Sequence, residues 1–321
     1  MRKDWDLRAR ENARYYIDCG HADSEEVFWR SGEEDLVNFI LRDLDLDRNA
    51  SALEIGCGIG RLLRPISFRV ASAVGVDISG EMIERARQAL ADRPNLLLLH
   101  TSGDLAGVPD ASSDFLFSFI VFQHIPVKRA VSRYFEEASR VLKAGAVLRI
   151  QVDGRPSRRR SANTWEGVRY TPEEVVLELK SAGLELLDLT GAGTQYMWIT
   201  ALRRAEPGRP VSAAVKFHRK EWDPEAVYRL LRRMGYEPAS EGPRILSGQA
   251  NLRQLAQRVI EINENEDPRT YVSRAYRIFL DREPDDEGLA SYTAEIEQGI
   301  SRTNLVDCLL NSAEFAAKHR V

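Results

Sequence analysis

Short apolar runs alternate with amphipathic stretches over roughly the first half of the chain. "SALEIG" (51–56), "ASAVGVDIS" (71–79), "LLLLH" (96–100), "DFLFSFIVF" (114–122) and "AVLRIQV" (146–152) are continuous in apolar character and do not alternate. Strands buried on both faces have that pattern. Helical spacing fills the gaps. Met82, Ile83, Ala86 and Leu90 share one face of "GEMIERARQAL" behind the cap Ser79. Ala130, Val131, Tyr134, Ala138, Val141 and Leu142 share another over 127–142. Leu62, Leu63 and Ile66 suggest a helix after the first run. Ser31 and Gly32 precede "EEDLVNFILRDL", where Leu36, Phe39, Ile40 and Leu44 recur at helical spacing. Strands alternating with helices predict an α/β domain with a parallel sheet covered on both faces.

The pattern then changes. "TPEEVVLELKSAG" (171–183) is a helix with Thr171 as cap, Pro172 at its first position, Glu174 completing a capping box and Gly183 as stop. "LELLDLTG" and "QYMWITALRR" read as adjacent strands joined by "GAGT". "AEPGRP" (205–210) is the linker candidate. These boundaries divide the chain into a domain over 1–205, a linker or accessory segment over 206–260 and a small all-helical domain over 261–321. Within the accessory segment, "DPEAVYRLLRRMGYE" (223–237) echoes "TPEEVVLELKSAGLE" (171–185), through either duplication or shared cap and stop chemistry, and 251–264 reads as a further helix. From Asp267 onward the pattern is helical throughout, with Asp285 or Asp286 and Ser301 as caps.

Composition narrows the function classes. Of 321 residues, 43% are apolar and 29% charged, with a net charge of −4, so there is a sizeable core and no basic excess pointing to nucleic acid. Residues from 261 onward carry 13 acidic and 7 basic side chains, against 36 and 38 in the remainder. The tail is an acidic unit on a nearly neutral body. Cys19, Cys57 and Cys308 fit neither a disulfide framework nor a zinc site, and reduced thiols in a cytoplasmic protein are expected. No signal region or transmembrane run is evident.

The candidate chemistry begins at "LEIGCGIGR" (53–61). A glycine-rich turn between a strand and a helix brings bare backbone and a helix N-terminus to a ligand. Here Glu54 lies inside the strand. A pyrophosphate gains nothing from a carboxylate there, whereas a cationic ligand does. S-adenosylmethionine, with a sulfonium, an ammonium and a carboxylate, satisfies both features. Asp77 ends the second strand, where a carboxylate accepts ribose hydroxyls. Asp104 follows the third, placed for an adenine amine, with Leu105 beside the ring and Ile78 and Met82 over its other face.

Residues 31–203 resemble class I S-adenosylmethionine-dependent methyltransferases of the bacterial small-molecule type, through "LEIGCGIGR", "GVDIS", "GD", "FQHIP" and "RVLKAGAVL". The resemblance implies a Rossmann-like, seven-stranded sheet with an antiparallel last strand. It also implies that Gly56, Cys57, Gly58 and Arg61 face the methionine end, with Arg61 on its carboxylate. Gly60 and Phe119 complete the expected cofactor set. "LKAGAV" departs from the family's usual proline-glycine-glycine turn. Residues 267–319 resemble a small helical domain of unknown function found in bacterial surface and glycan-related proteins, and are similar to the phycobilisome linker domain, through Tyr271, Tyr276, "FLDREPDDEGL", Gly299, "SR" (301–302) and "NSAEF". Asp281 stands where that family has glycine. No catalytic cluster is apparent there, so the tail reads as a docking or binding module.

His124, after the fourth strand, is either a general base for an alcohol acceptor or a packing residue. Tyr15 and Tyr16 either close over the sulfonium, with Tyr16 the catalytic candidate, or pack an N-terminal helix. "GRPSRRR" (154–160) is either an anion-binding rim or a solvated lid. Tyr196 and Trp198 read as core, with Gln195 and Tyr196 near the rim. The expected function is O-methylation of a saccharide or glycan-linked acceptor, with a lipid or secondary-metabolite methyltransferase and a non-catalytic cofactor-binding scaffold as alternatives. The expected partners are a small-molecule or saccharide acceptor and, through the tail, a protein or glycan. No metal and no nucleic acid is expected.

Overall fold

The computed structural model describes residues 1–155, 163–218, 223–246, 265–298, 302–310 and 312–319, with scattered positions between 252 and 259. The chain divides into two units, Met1–Arg219 and Lys220–Val321. In the first, β1 (Leu44–Leu46), β2 (Ser51–Ile55), β3 (Ser72–Asp77), β4 (Leu96–His100), β5 (Ser113–Ser118), β6 (Leu142–Val152), β7 (Leu184–Thr190), β8 (Met197–Arg203) and β9 (Val215–Phe217) accompany α1 (Arg2–Ile17), α2 (Glu25–Asp35), α3 (Leu63–Ile66), α4 (Gly80–Ala89), α5 (Lys128–Val141) and α6 (Pro172–Ser181). Seven strands form one sheet in the order β4-β3-β2-β5-β6-β8-β7. All its pairings are parallel except those of β8, which runs antiparallel to β6 and β7. This is the Rossmann-like sheet with a reversed last strand that the family resemblance implies.

Continuous apolar strands feed both faces. Leu53, Ile55, Leu116 and Leu148 join Val131 and Phe135 of α5 in one core. Ala52, Phe115, Phe117 and Val147 join Leu63 and Ile66 of α3 in another. The chain leaves β2 toward β3 and β4, then returns to β5 on the other side. That reversal opens a crevice at the carboxyl ends of β2 and β5, where sheets of this type bind ligands.

Four expectations are corrected. The helix expected to start after Gly32 starts at Glu25, where Ser24 accepts from Val27 N–H at 3.4 Å, and it runs through Ser31 and Gly32. Gly32 lies inside it because a Cβ there would sit 2.3 Å from the Arg61 carbonyl oxygen. A π-helical turn, Leu36–Ile40, ends it. The fourth run stops being strand at Ser118, since Ile120 takes a positive φ of 55°. Residues 206–218 are not a linker: Arg209 donates to the carbonyls of Ser139, Arg140 and Leu142, and β9 pairs with β1.

The fourth correction concerns the rest of the accessory segment. In the second unit, α7 (Pro224–Arg233) and α8 (Pro238–Leu246) precede α9 (Pro268–Leu280), α10 (Asp286–Glu297), α11 (Arg302–Leu310) and α12 (Ala313–His319). Val227, Leu230 and Leu231 of α7 share a core with Tyr271, Val272 and Phe279 of α9 and with Phe315. The helical unit therefore begins before 261. The echo between 171–185 and 223–237 is cap chemistry. Thr171 and Asp223 both cap helices with proline at the start, and Gly183 and Gly235 both have positive φ, but a strand follows the first helix and a helix the second. Asp267 and Asp285 cap α9 and α10. Ser301, Gly299 and most of 251–264 lie outside the described residues.

Asp281 ends α9 in the left-handed region, φ 52° and ψ 41°. Glycine occupies that conformation without steric cost, whereas an L side chain incurs about 1–2 kcal/mol. Its ion pair with Arg233, 3.0 Å, is 64% exposed on the aspartate side and offsets little of that. Asp281→Gly is expected to raise the melting temperature of the helical unit, and Asp281→Val to lower it. Calorimetry of the full chain giving the reverse order would refute this account of the turn.

Candidate functional site

The turn after β2 is tied to the end of β3. Gly56 and Cys57 N–H both donate to the Val76 carbonyl, at 2.8 and 3.1 Å. The Asp77 carboxylate accepts from Gly58 N–H at 2.9 Å and Ser79 N–H at 2.8 Å. Gly56 and Gly58 have positive φ, and a Cβ on either would strike the Val121 or Ile17 side chain, at 2.4 and 2.7 Å. Gly60 also has positive φ, but its bare side faces Leu90 and serves packing.

This turn borders a cleft of about 890 Å³, open solvent included. Glu54, Gly56, Cys57, Gly58 and Arg61 line it from β2 and the turn; Asp77, Ile78 and Met82 from β3 and α4; Phe119 and His124 from the segment after β5; Tyr16 from α1. The structure thus brings most of the expected site residues together. Gly60, Asp104 and Leu105 are not among the lining residues. Asp104 pairs with Arg133 at 3.4 Å, and Leu105 is wholly buried.

Glu54 is a carboxyl withdrawn from water at the back of the turn. It is 3% exposed, and its Oε2 has no hydrogen-bond partner among the described residues. Burial pushes its carboxyl up to about 8, opposed by the positive charge of Arg61 and aided by Asp77. Burial likewise raises Asp77, against the backbone N–H groups that hold it, and raises the Cys57 thiol well above its ordinary value. Arg61 corrects one expectation: its charge is already balanced. Its Nη1 donates to Asp35 at 2.7 Å and Ser31 at 3.1 Å, with Asp18 at 3.3 Å, and its buried Nε has no partner among the described residues. A guanidinium this buried needs such carboxylates.

His124 ends a single helical turn, Phe122–His124. Its Nδ1 lies 2.9 Å from the Trp165 carbonyl oxygen, and the Trp5 ring stands edge-on at 5.5 Å. Burial lowers its pKa, with the nearby Arg8 charge acting the same way. The Tyr16 hydroxyl donates to Glu11 at 2.8 Å, and that bond together with burial raises its pKa. Tyr15 is exposed and outside the lining. Tyr196 is 47% exposed, so it is not the core residue the pattern suggested, whereas Trp198 is buried and stacks on Phe119 at 5.1 Å. Arg155 pairs with Asp153; 156–160 lie outside the described residues.

Some lining residues carry little sequence signal. Trp5 and Ile17 come from α1, a mostly charged helix that docks through Ala9 and Ala13, at 0% and 4% exposure. Asp6 of α1 accepts from Ser79 Oγ at 2.7 Å. The recurrence of Trp5, Ala9 and Ala13 at helical spacing marks that face. Thr101, at the end of β4, lines the cleft with a buried, unpartnered hydroxyl.

The family description "Methyltransferase domain" matches residues 53–150, and a domain of unknown function (DUF4214) matches 260–319. No curated protein matches. Among solved structures, the [4+2]-cyclase SpnF is similar at 17% identity and TM-score 0.50, covering 64% of this chain and 96% of that one. An S-adenosylmethionine-dependent methyltransferase from Aquifex aeolicus shares 22% identity over 55% of this chain and 98% of that one, with TM-score 0.43. The CcbJ methyltransferase from Streptomyces caelestis shares 19% over 55% and 90%, with TM-score 0.42.

S-adenosylmethionine fits the residues present. The partnerless Glu54 oxygen suits an ammonium or sulfonium, and the bare cradle at Gly56 and Gly58 admits a ligand against the backbone. Gly56→Ala is expected to destabilise the chain by at least ~1–2 kcal/mol through its left-handed backbone alone. Thermal melts of Gly56→Ala with Val121→Ala should recover the steric part of the loss but not the left-handed part; full recovery would refute the conformational requirement. Residues 53–150 match a methyltransferase domain, and S-adenosylmethionine is the cofactor that the residues around its first turn fit.

Proposed function

We propose that the chain transfers a methyl group from S-adenosylmethionine to a hydroxyl of a saccharide or glycan-linked acceptor. Methyl transfer is an in-line displacement: the acceptor oxygen bonds the methyl carbon as the carbon–sulfur bond breaks, leaving S-adenosylhomocysteine. Holding the atoms in line supplies much of the rate. The acceptor proton passes to His124 Nε2. The observation that carries this reading is a neutral histidine on the same cleft as the unpaired Glu54 carboxylate. In the proposed arrangement Glu54 meets the cofactor ammonium and Asp77 its ribose, and Tyr16 with Trp5 covers the reacting end. Asp77 has lone pairs left for this after its two backbone bonds.

The acceptor class draws support from an aromatic platform beside the cleft. Phe119 stacks on Trp198, with Phe39 and Tyr196 at 5.7 and 6.4 Å from it, and Phe39 and Tyr196 are exposed. Such faces suit the C–H side of a pyranose. In this reading the helical unit binds the polymer or a biosynthetic partner. A cofactor-binding protein without methyl transfer is the second reading: the bare turn, Glu54 and Asp77 can hold a nucleoside whether or not a methyl group is passed on.

Mass spectrometry of cell extracts with and without the gene should reveal a glycan species differing by one CH₂. No such species, with purified protein inert toward saccharides, would refute the acceptor assignment. His124→Asn is expected to lower kcat by roughly 10²–10⁴ while leaving S-adenosylhomocysteine affinity unchanged.

Glu54 adds a pH signature. Its ordinary pKa is 4.5 and its folded value about 8, so between these the native chain holds the extra proton. Stability of the ligand-free protein therefore falls as pH rises through that window. A cationic ligand displaces the proton. At pH 7, S-adenosylhomocysteine binding should release close to one proton, read by calorimetry in buffers of different ionisation enthalpy. Glu54→Gln should abolish the release.

A further inference from the structure

Three glutamine side chains lie behind His124, on β6, the turn after β5 and the approach to β8. Gln151, at the end of β6, is 0% exposed, and Gln123 is 6% exposed. The orientation of Gln151 is set by the backbone. Its Nε2 donates to the carbonyls of Gln195 at 2.6 Å and Val152 at 3.1 Å, and its Oε1 accepts from Ile120 N–H at 3.0 Å. Reversing this amide would set NH₂ against N–H and oxygen against two carbonyls. One of the two Gln151 Nε2 hydrogens is shared with Gln123 Oε1, 3.1 Å from Nε2, and Gln195 Nε2 reaches the same oxygen at 3.3 Å. Gln123 therefore turns its oxygen toward two donors and its NH₂ the other way. That NH₂ lies 3.3 Å from His124 Nε2.

A carboxamide nitrogen only donates, so the ring nitrogen facing it must present a lone pair. The Trp165 carbonyl on the other side only accepts, so Nδ1 carries the hydrogen. We propose that Gln151 and Gln123 form an amide relay, from backbone to side chain to side chain, that fixes His124 as the Nδ1–H tautomer with Nε2 unprotonated. Gln123 thereby occupies the Nε2 lone pair in the ligand-free protein, so the acceptor hydroxyl must displace this amide before Nε2 takes its proton; Gln123 is a positioning residue, and this part rests on the reading of His124 as proton acceptor. Gln151 has a second task. Ile120 is a β-branched residue at φ 55°, and its N–H is the one Gln151 accepts. The same side chain thus holds a strained backbone turn that places Phe119, Ile120 and His124 on the cleft.

The other groups facing the imidazole are few. Arg8 and the Trp5 ring come from α1, Asp153 from the end of β6, and the Trp165 carbonyl from the loop before α6. Arg8 and burial favour the neutral ring; Asp153 and the Trp165 carbonyl favour the cation. The relay sides with the neutral form, because protonated Nε2 would point N–H at NH₂.

The test is nitrogen NMR of ¹⁵N-histidine-labelled full-length protein without substrate, with His124 assigned by the signals missing in His124→Asn. Wild type should show Nδ1–H and bare Nε2 at neutral pH. Gln123→Glu, nearly isosteric, offers Nε2–H an acceptor. It should raise the proton affinity of His124 by about tenfold or more, adding a hydrogen at Nε2 while Nδ1–H stays on the Trp165 carbonyl. Gln123→Leu should raise the affinity less and mix the tautomers. Wild-type titration and tautomer in both variants, with unchanged melting temperatures, would overturn the relay. Since no turnover is measured, this failure is distinct from failure of the base role, which the activity of His124→Asn reads.

Discussion

The Asp77 carboxylate holds the site in shape. By accepting Gly58 N–H and Ser79 N–H together, it couples the first turn of the sheet to the start of α4. The Val76 carbonyl, taking Gly56 and Cys57 N–H, completes the tie. With the turn pinned, Gly56 and Gly58 are forced into the left-handed region, and only residues without Cβ fit beside Val121 and Ile17. The bare backbone at the crevice follows from this constraint. So does the depth at which Glu54 sits, one residue inside β2, where no protein partner reaches Oε2.

Charge is distributed unevenly around that turn, and the unevenness has chemical content. Arg61 is matched by Asp18 and Asp35, and the chain supplies the counter-charge itself. Glu54 feels the Arg61 charge, but its Oε2 has no hydrogen-bond partner among the described residues. A buried carboxyl without partners favours its neutral form, and burial shifts it to about 8. A cationic ligand resolves the mismatch, which suits a sulfonium nucleoside with an ammonium. Across the cleft burial and the Gln123 amide at Nε2 favour the neutral form of His124, while the Trp165 carbonyl keeps its hydrogen on Nδ1. One wall thus awaits a positive charge while the other holds a neutral imidazole.

Sheet topology was legible because its signals are local. Five apolar runs of strand length, alternating with amphipathic stretches, leave few topologies open, and Thr171 with Glu174 forms the capping box its residues spell out. Glu54, Asp77 and the glycines were legible through position relative to strand ends. The start of α2 was hidden, because Ser31 and Gly32 look like a start signal when the partner of Gly32, the Arg61 carbonyl, is remote in sequence. The helical unit's true extent was hidden because Val227 and Leu231 of α7 join a core made by residues some forty or more positions later.

Sequence alone determined the order of elements, the bare turn and the acids at the strand ends, because these depend on residues within one turn or strand of each other. Tertiary structure alone decided that α1 forms a wall of the cleft, that Arg61 is spoken for, that Asp104 turns to Arg133, and that three glutamines from separate segments orient one histidine. Those outcomes depend on which polar groups share a buried volume. A polar group excluded from water must find a partner wherever the fold offers one, and sequence spacing carries no record of that.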